Sequence, residues 1–155
     1  MRTFSRVEEL EAVVGEHLGH SDWLEIDQER IDTFAAATGD QQWIHVDPQR
    51  AAAGPYGRTI AHGYLTLALL PVLVSTVVSY DGWPVKVNYG SDKVRFPQPV
   101  LVGSRVRIGV ELLRVTRSAA GVRVALRSAM EVEGPTGDRL PKPALVAETL
   151  TLLAG

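Results

Sequence analysis

The sequence predicts an α+β fold in which one curved antiparallel sheet wraps around a long central helix at about 62–79. Three observations lead there. The first half carries helix signals. The second half alternates apolar and polar residues with period two. A single stretch, Tyr64 to Val78 (YLTLALLPVLVSTVV), is apolar nearly all round and so must be buried on most sides. A sheet with one wet and one apolar face needs such an element to cover it.

The elements follow in order. Residues 6–15 predict a short amphipathic helix, with Val7, Leu10, Val13 and Val14 on one side and Gly15 at its end. Trp23, Leu24 and Ile26 predict a short strand. Asp27 reads as the N-cap of a helix bearing Ile31, Phe34, Ala35 and Thr38 on one face and closed by Gly39. Asp47-Pro48 is a second cap, with proline at the first helical position and Gly54 closing Gln49–Ala53. The loop GPYGRT leads into the long helix, which Pro71 should kink. Strands are expected at 84–96, 104–117, 121–133 and 144–153. Turn signals stand at Asp81-Gly82 and Pro135-Thr136-Gly137.

Composition sets the outer limits. The 155 residues suit one domain, 1–155, with 45% hydrophobic and 22% charged residues. The chain has no cysteine, which excludes disulfides, thiolate chemistry and cysteine-ligated zinc, and which fits a cytoplasmic setting. A net charge of -2 gives no global reason to expect nucleic acid. Between Lys93 and Arg127 there are nevertheless eight basic residues and one acidic residue, Glu111. These read either as solvated strand faces or as a patch for an anionic ligand such as a nucleotide phosphate. The first fifteen residues lack the pattern of a secretory signal. The apolar stretch at 64–78 is short for a bilayer and holds Thr66, Pro71, Ser75 and Thr76, so no membrane partner is expected.

Two short clusters carry candidate chemistry. The first runs from Thr38 through Asp40, Gln42, Trp43, Ile44 and His45 to Asp47-Pro48. The second runs from Tyr56-Gly57 through Ile60-Ala61-His62-Gly63 to Leu65. Asp40 and His45 are placed on one loop between two helix signals, and such a pair can hold and deprotonate a water. An Asp followed five residues later by a His is common on its own, and it can equally be a turn and a hydrogen-bonded loop histidine. Gly63 falls in the first turn of the buried helix, where backbone N–H groups lack partners and a ligand can approach closely. There it could stabilise an oxyanion, or simply allow tight packing. Asp40, His45, Asp47 and His62 could also be metal ligands, but the proline after Asp47 marks that residue as a cap, so no metal is expected.

The run Thr38–Leu65 resembles the signature of the MaoC-like hydratases, the R-specific enoyl-CoA hydratases of hot-dog fold. Their pattern is Asp, then Asn-Pro-(Ile/Leu)-His, then Asp two residues on, a Phe-Gly loop and Ala-His-Gly. Asp40, Ile44, His45, Asp47, Gly57 and Ile60-Ala61-His62-Gly63 match it. Val94-Arg95-Phe96-Pro97 through Pro99-Val100 to Gly103-Ser104 resembles a further family stretch, and Asn88-Tyr89-Gly90 before it is similar to the NodN-like branch. The chain departs from the pattern at Gln42 for Asn, Trp43 for Pro, Tyr56 for Phe, Pro71 where many members have Ser, and Ser104 for Asp.

The resemblance implies hydration of a trans-2-enoyl-CoA to the (R)-3-hydroxyacyl-CoA in fatty-acid metabolism, a reversible reaction. Asp40 and His45 would act on water and the Gly63 amide on the thioester oxygen. Gln42, Trp43, Tyr56, Gly57, His62, Lys93 and Arg95 would contribute to substrate binding. No cofactor is expected beyond the coenzyme A that belongs to the substrate, and a homodimer is expected. Two alternatives stay open. One is an acyl-CoA thioesterase of the hot-dog superfamily. The other is a non-catalytic acyl-thioester-binding subunit, which the changes at Gln42 and Trp43 would suit.

Overall fold

The computed structural model describes residues Met1–Gly155, and its sheet follows from the period-two segments. The long strands are β5 (Val85–Arg95), β6 (Ser104–Ser118), β7 (Gly121–Glu133) and β8 (Leu145–Ala154), all paired antiparallel. Two short strands, β2 (His17–His20) and β3 (Leu24–Ile26), pair with successive stretches of β6 along one edge. The order is β2-β6-β7-β8-β5, with β3 beside β6. The register explains the core. Val106 faces Val132, Ile108 faces Met130 and Leu112 faces Leu126, and all six are buried. Their neighbours Arg105 and Arg107 lie opposite Glu133 and Glu131 on the other face.

The helices begin where caps were predicted. In α2 (Gln28–Thr38) the Asp27 carboxylate accepts from the Arg30 amide at 2.8 Å, and Gly39 ends the helix at φ 81°, a conformation that favours glycine. In α4 (Pro48–Ala52) the Asp47 carboxylate accepts from the Arg50 amide at 3.0 Å. The first helix, α1, is shorter than expected, Val7–Glu11, and buries Leu10.

The central helix corrects the expected span of 62–79. It begins at Gly63, with His62 as its N-cap, and falls into α5 (Gly63–Ala68) and α6 (Leu70–Val77). Pro71 has no N–H to give the preceding turn, and Leu69 at the junction remains right-handed. Hydrogen bonds from Leu69 N to Leu65 O and from Leu73 N to Leu69 O carry the helix across the break. The helix stops at Val77 because Val78–Tyr80 turns extended as β4, which pairs in parallel with β1 (Arg2–Phe4). The α5–α6 unit packs against β6 and β8. Leu65, Leu69, Leu70, Leu73 and Val77 bury their side chains in a continuous core with the sheet. No helix is long and apolar enough to cross a membrane.

The basic segment is largely paired across strands. Arg107 meets Glu131, Arg127 meets Glu111 and Glu148, and Arg117 meets Glu8 and Glu11 of α1. Most of its charge is therefore answered within the chain.

Candidate active site

The sequence placed Asp40 and His45 on one loop, and the structure corrects this. A one-turn helix, α3 (Trp43–Val46), forms between the two cap signals, and His45 lies within it. The turn closes through His45 N to Gln42 O at 2.9 Å and Asp47 N to Trp43 O at 3.1 Å. This turn sends the His45 side chain inward, where it is 6% exposed, while Asp40 stays exposed just after the Gly39 cap.

Three ionisable side chains converge here. One ligand-capable atom from each of Asp40, His45 and His62 lies within 4.8 Å of the others. A single water oxygen can span such a gap, since each hydrogen bond reaches about 2.8 Å. His45 Nδ1 lies 2.7 Å from the Ile60 carbonyl oxygen. A carbonyl only accepts, so Nδ1 carries the proton and Nε2 keeps its lone pair. Burial holds the His45 imidazole below its ordinary pKa, with the neighbouring His62 adding to the effect. The Ile60 hydrogen bond and the Asp40 charge act in the opposite sense. His45 is thus a neutral base at physiological pH.

Gln28, at the start of α2, fixes this arrangement from behind. Its amide nitrogen donates to the His45 carbonyl and to Asp32, both at 2.8 Å. Its amide oxygen accepts from the buried Thr59 hydroxyl at 2.6 Å. Nothing in the sequence marks Gln28, because a polar residue in a first helical turn is ordinary. Ile60 contributes through its backbone, which sequence patterns do not reveal.

Gly63 opens α5, so its N–H has no partner within the helix. A β-carbon there would meet the Phe96 ring at 3.1–3.2 Å. Phe96 stacks obliquely with Tyr64 and is 40% exposed. A cavity of about 1010 Å³ runs beside the α5–α6 unit and is lined by Asp40, Phe34, Tyr64, Leu67, Val74 and residues of β5 and β8, Lys86 among them.

The remaining predicted residues lie elsewhere. Trp43 packs over Gly54 and beneath the Arg50 guanidinium, 4.4 Å from its ring. Gln42 is exposed, and its backbone N–H donates to the Asp40 carboxylate at 3.4 Å. Tyr56 is 44% exposed on the loop before α5, and Gly57 follows it at φ 70°. Lys93, at φ 52° within a bulge of β5, donates to Glu148 at 3.1 Å. Arg95 turns back onto the Val94 carbonyl at 2.7 Å. None of these six lines the cavity. His62 is 2% exposed and stacks on His45 with ring centroids 3.7 Å apart.

Residues 9–133 match the model of the MaoC like domain. The chain is 52% identical over 151 residues to 3-hydroxyacyl-thioester dehydratase Z of Mycobacterium tuberculosis, covering 97% of each chain. It is 42% identical over 153 residues to Nodulation protein N of Rhizobium meliloti, covering 93% of this chain and 88% of that one. The R-hydratase PhaJ1 structure from Pseudomonas aeruginosa superposes with a TM-score of 0.67 at 26% identity, over 91% of this chain and 81% of that chain. The (R)-hydratase of A. caviae gives a TM-score of 0.70 over 89% of this chain and 96% of that one, and at 23% identity it bears on the fold alone. With the Asp40, His45 and Gly63 arrangement held on a sheet wrapped around one helix, these matches show that the chain is an enzyme of the MaoC-like hydratase and dehydratase family, with the hot-dog fold.

Proposed function

We propose that the protein adds water reversibly to a trans-2-enoyl-CoA, giving the (R)-3-hydroxyacyl-CoA of fatty-acid metabolism. The observation that carries this reading is the tautomer of His45, which leaves Nε2 free as an acceptor in the same cluster as the Asp40 carboxylate. The names of the relatives support the class of reaction: one is a 3-hydroxyacyl-thioester dehydratase and another an R-hydratase.

In the forward direction Asp40 and His45 hold one water over C3 of the enoyl thioester. His45 Nε2 takes its proton as oxygen bonds to C3. The electron pair of the C2–C3 double bond moves toward the carbonyl, whose oxygen becomes an enolate held by the Gly63 amide. The proton returns to C2, and the thioester is regenerated. The apolar wall supplied by Leu67, Leu70 and Val74 suits an acyl chain. No step requires a metal or a separate cofactor.

The same reading includes a homodimer. β5 pairs only with β8, so its other edge is free, and Val85, Val87 and Tyr89 are 45–57% exposed. A long edge with that much apolar surface needs cover.

The test follows the loss of enoyl-thioester absorbance with crotonyl-CoA and a longer trans-2-enoyl-CoA, with chiral analysis of the product. Formation of the (R)-3-hydroxy thioester, abolished by Asp40→Asn, is the expected result. Free thiol with the double bond intact would replace this reading by a thioesterase. Binding with no turnover would replace it by an acyl-binding subunit.

A further inference from the structure

His62 is set apart from every other residue of the site by how many catalytic parts it touches. Its Nε2 lies 3.0 Å from the backbone carbonyl oxygen of Asp40. A carbonyl only accepts, so Nε2–H donates, and the donor is used to hold the residue that carries the carboxylate. One face of its ring stacks on His45. Phe34 of α2 packs against the same ring, with centroids 5.0 Å apart. Its own carbonyl accepts from Leu65 N at 3.0 Å and Thr66 N at 3.3 Å, which starts the helix whose first residue is Gly63. Asp40, His45 and the Gly63 amide come from three different segments, and His62 contacts or adjoins all three.

The cost of keeping an imidazole here is visible. His62 Nδ1 is buried and has no hydrogen-bond partner. A buried polar atom without a partner destabilises a fold. A phenylalanine would fill the same space without that cost, but it would not donate to the Asp40 carbonyl. A glutamine would donate, but it would not present a flat ring to His45. The arrangement needs both properties in one side chain.

We infer that His62 is a positioning residue for the hydration reaction, fixing the Asp40 carboxylate and the His45 imidazole relative to each other through one hydrogen bond and one ring stack. The inference rests on the reading of Asp40 and His45 as the pair that acts on water. His62 also shapes the basicity of its neighbour. The ionisable groups acting on His45 are His62, which opposes its protonation, and Asp40, which favours it. Two stacked imidazoles cannot both carry charge cheaply, so His62 disfavours the charged form of His45.

The test compares His62→Phe, which keeps a ring and loses the donor, with His62→Gln, which keeps a donor and loses the ring. Each is expected to lower kcat on the order of a hundredfold, the scale of a misplaced catalytic group, with KM little changed. In parallel, the His45 imidazole is titrated by carbon-detected NMR in the wild type and both variants. With the opposing neighbour removed, its titration moves to higher pH in both. Loss of kcat in proportion to the folded fraction, with the His45 titration unmoved, would reduce His62 to a packing residue and overturn the inference. Should the wild type hydrate no enoyl thioester, the functional reading fails by itself, and the NMR titration still decides whether His62 governs His45.

Discussion

The side chain of His45 and the backbone of Ile60 are joined by a 2.7 Å hydrogen bond that determines which imidazole nitrogen is basic. Because burial depresses the His45 pKa, the neutral base persists below the pH at which a free histidine, with its pKa of about 6.5, would be half protonated. The acid limb of kcat/KM should therefore fall below that value. His45→Gln should remove the limb together with several orders of magnitude of turnover. A pH–rate profile measured on the free enzyme checks both.

The same shift has a consequence for stability. In the unfolded chain His45 binds its proton at its ordinary pKa, and in the native state it binds less readily. Between the two values the unfolded state holds more protons, so acid favours unfolding there. His45's contribution should be fully present above about pH 6.5 and lost as the pH falls toward the native pKa. Urea midpoints measured at pH 7.5 and in mild acid should show the drop, and His45→Gln should flatten it.

Gly63→Ala separates catalysis from folding. The added methyl meets the Phe96 ring at 3.1 Å, but that ring is partly exposed and can give way. The melting temperature should change little. The rate kcat/KM should fall about tenfold or more, since the displaced ring and the new methyl crowd the amide proposed to hold the oxyanion. Adding Phe96→Ala should restore part of the loss. A rate that simply follows the melting temperature would count against the assigned role of the amide.

Gln28→Ala removes one side chain and strands two groups at once, the His45 carbonyl and the buried Thr59 hydroxyl, while the exposed Asp32 carboxylate turns to water. The expected destabilisation is about 1–3 kcal/mol, read from chemical denaturation, with an added fall in kcat because α3 loosens. Thr59→Val should give a smaller loss of stability and leave the His45 contact in place.

Light scattering on the purified protein should report a dimer, and Val87→Asp on the free face of β5 should shift it toward monomer. A monomeric wild type would remove the homodimer from the functional reading.

Much of this molecule was legible in its residues. The four long strands lie within two residues of where alternation placed them, because period two with one apolar face leaves a strand a single register. The Asp27 and Asp47 caps formed as read, since each satisfies an amide that would otherwise lack a partner. β1, β2 and β4 were not legible. Three or four residues carry too little pattern, and each exists only because a distant segment offers it a partner. At the site, Asp40, His45 and Gly63 stood out as residue types. The Ile60 carbonyl and the Gln28 bridge did not, because their roles depend on tertiary contact and not on local sequence.

The parallel pairing of β1 with β4 ties Arg2 to Val78 and Phe4 to Tyr80, and the Asp81 amide to the Phe4 carbonyl at 2.9 Å. At Gly82 the backbone of Ser5 comes so close that a β-carbon would sit 1.9 Å from its oxygen. The whole helical half of the chain, catalytic segments included, is thereby closed into a ring with one short latch. Closing a loop of that length is entropically slow, so the latch should form late in folding, after the helix has docked on the sheet. It should also be an early place to open. Amide protons at Asp81 would then exchange sooner than those of β6 and β7, and the part of the cavity lined by Val78, Ser79 and Tyr80 would loosen before the part lined by Asp40.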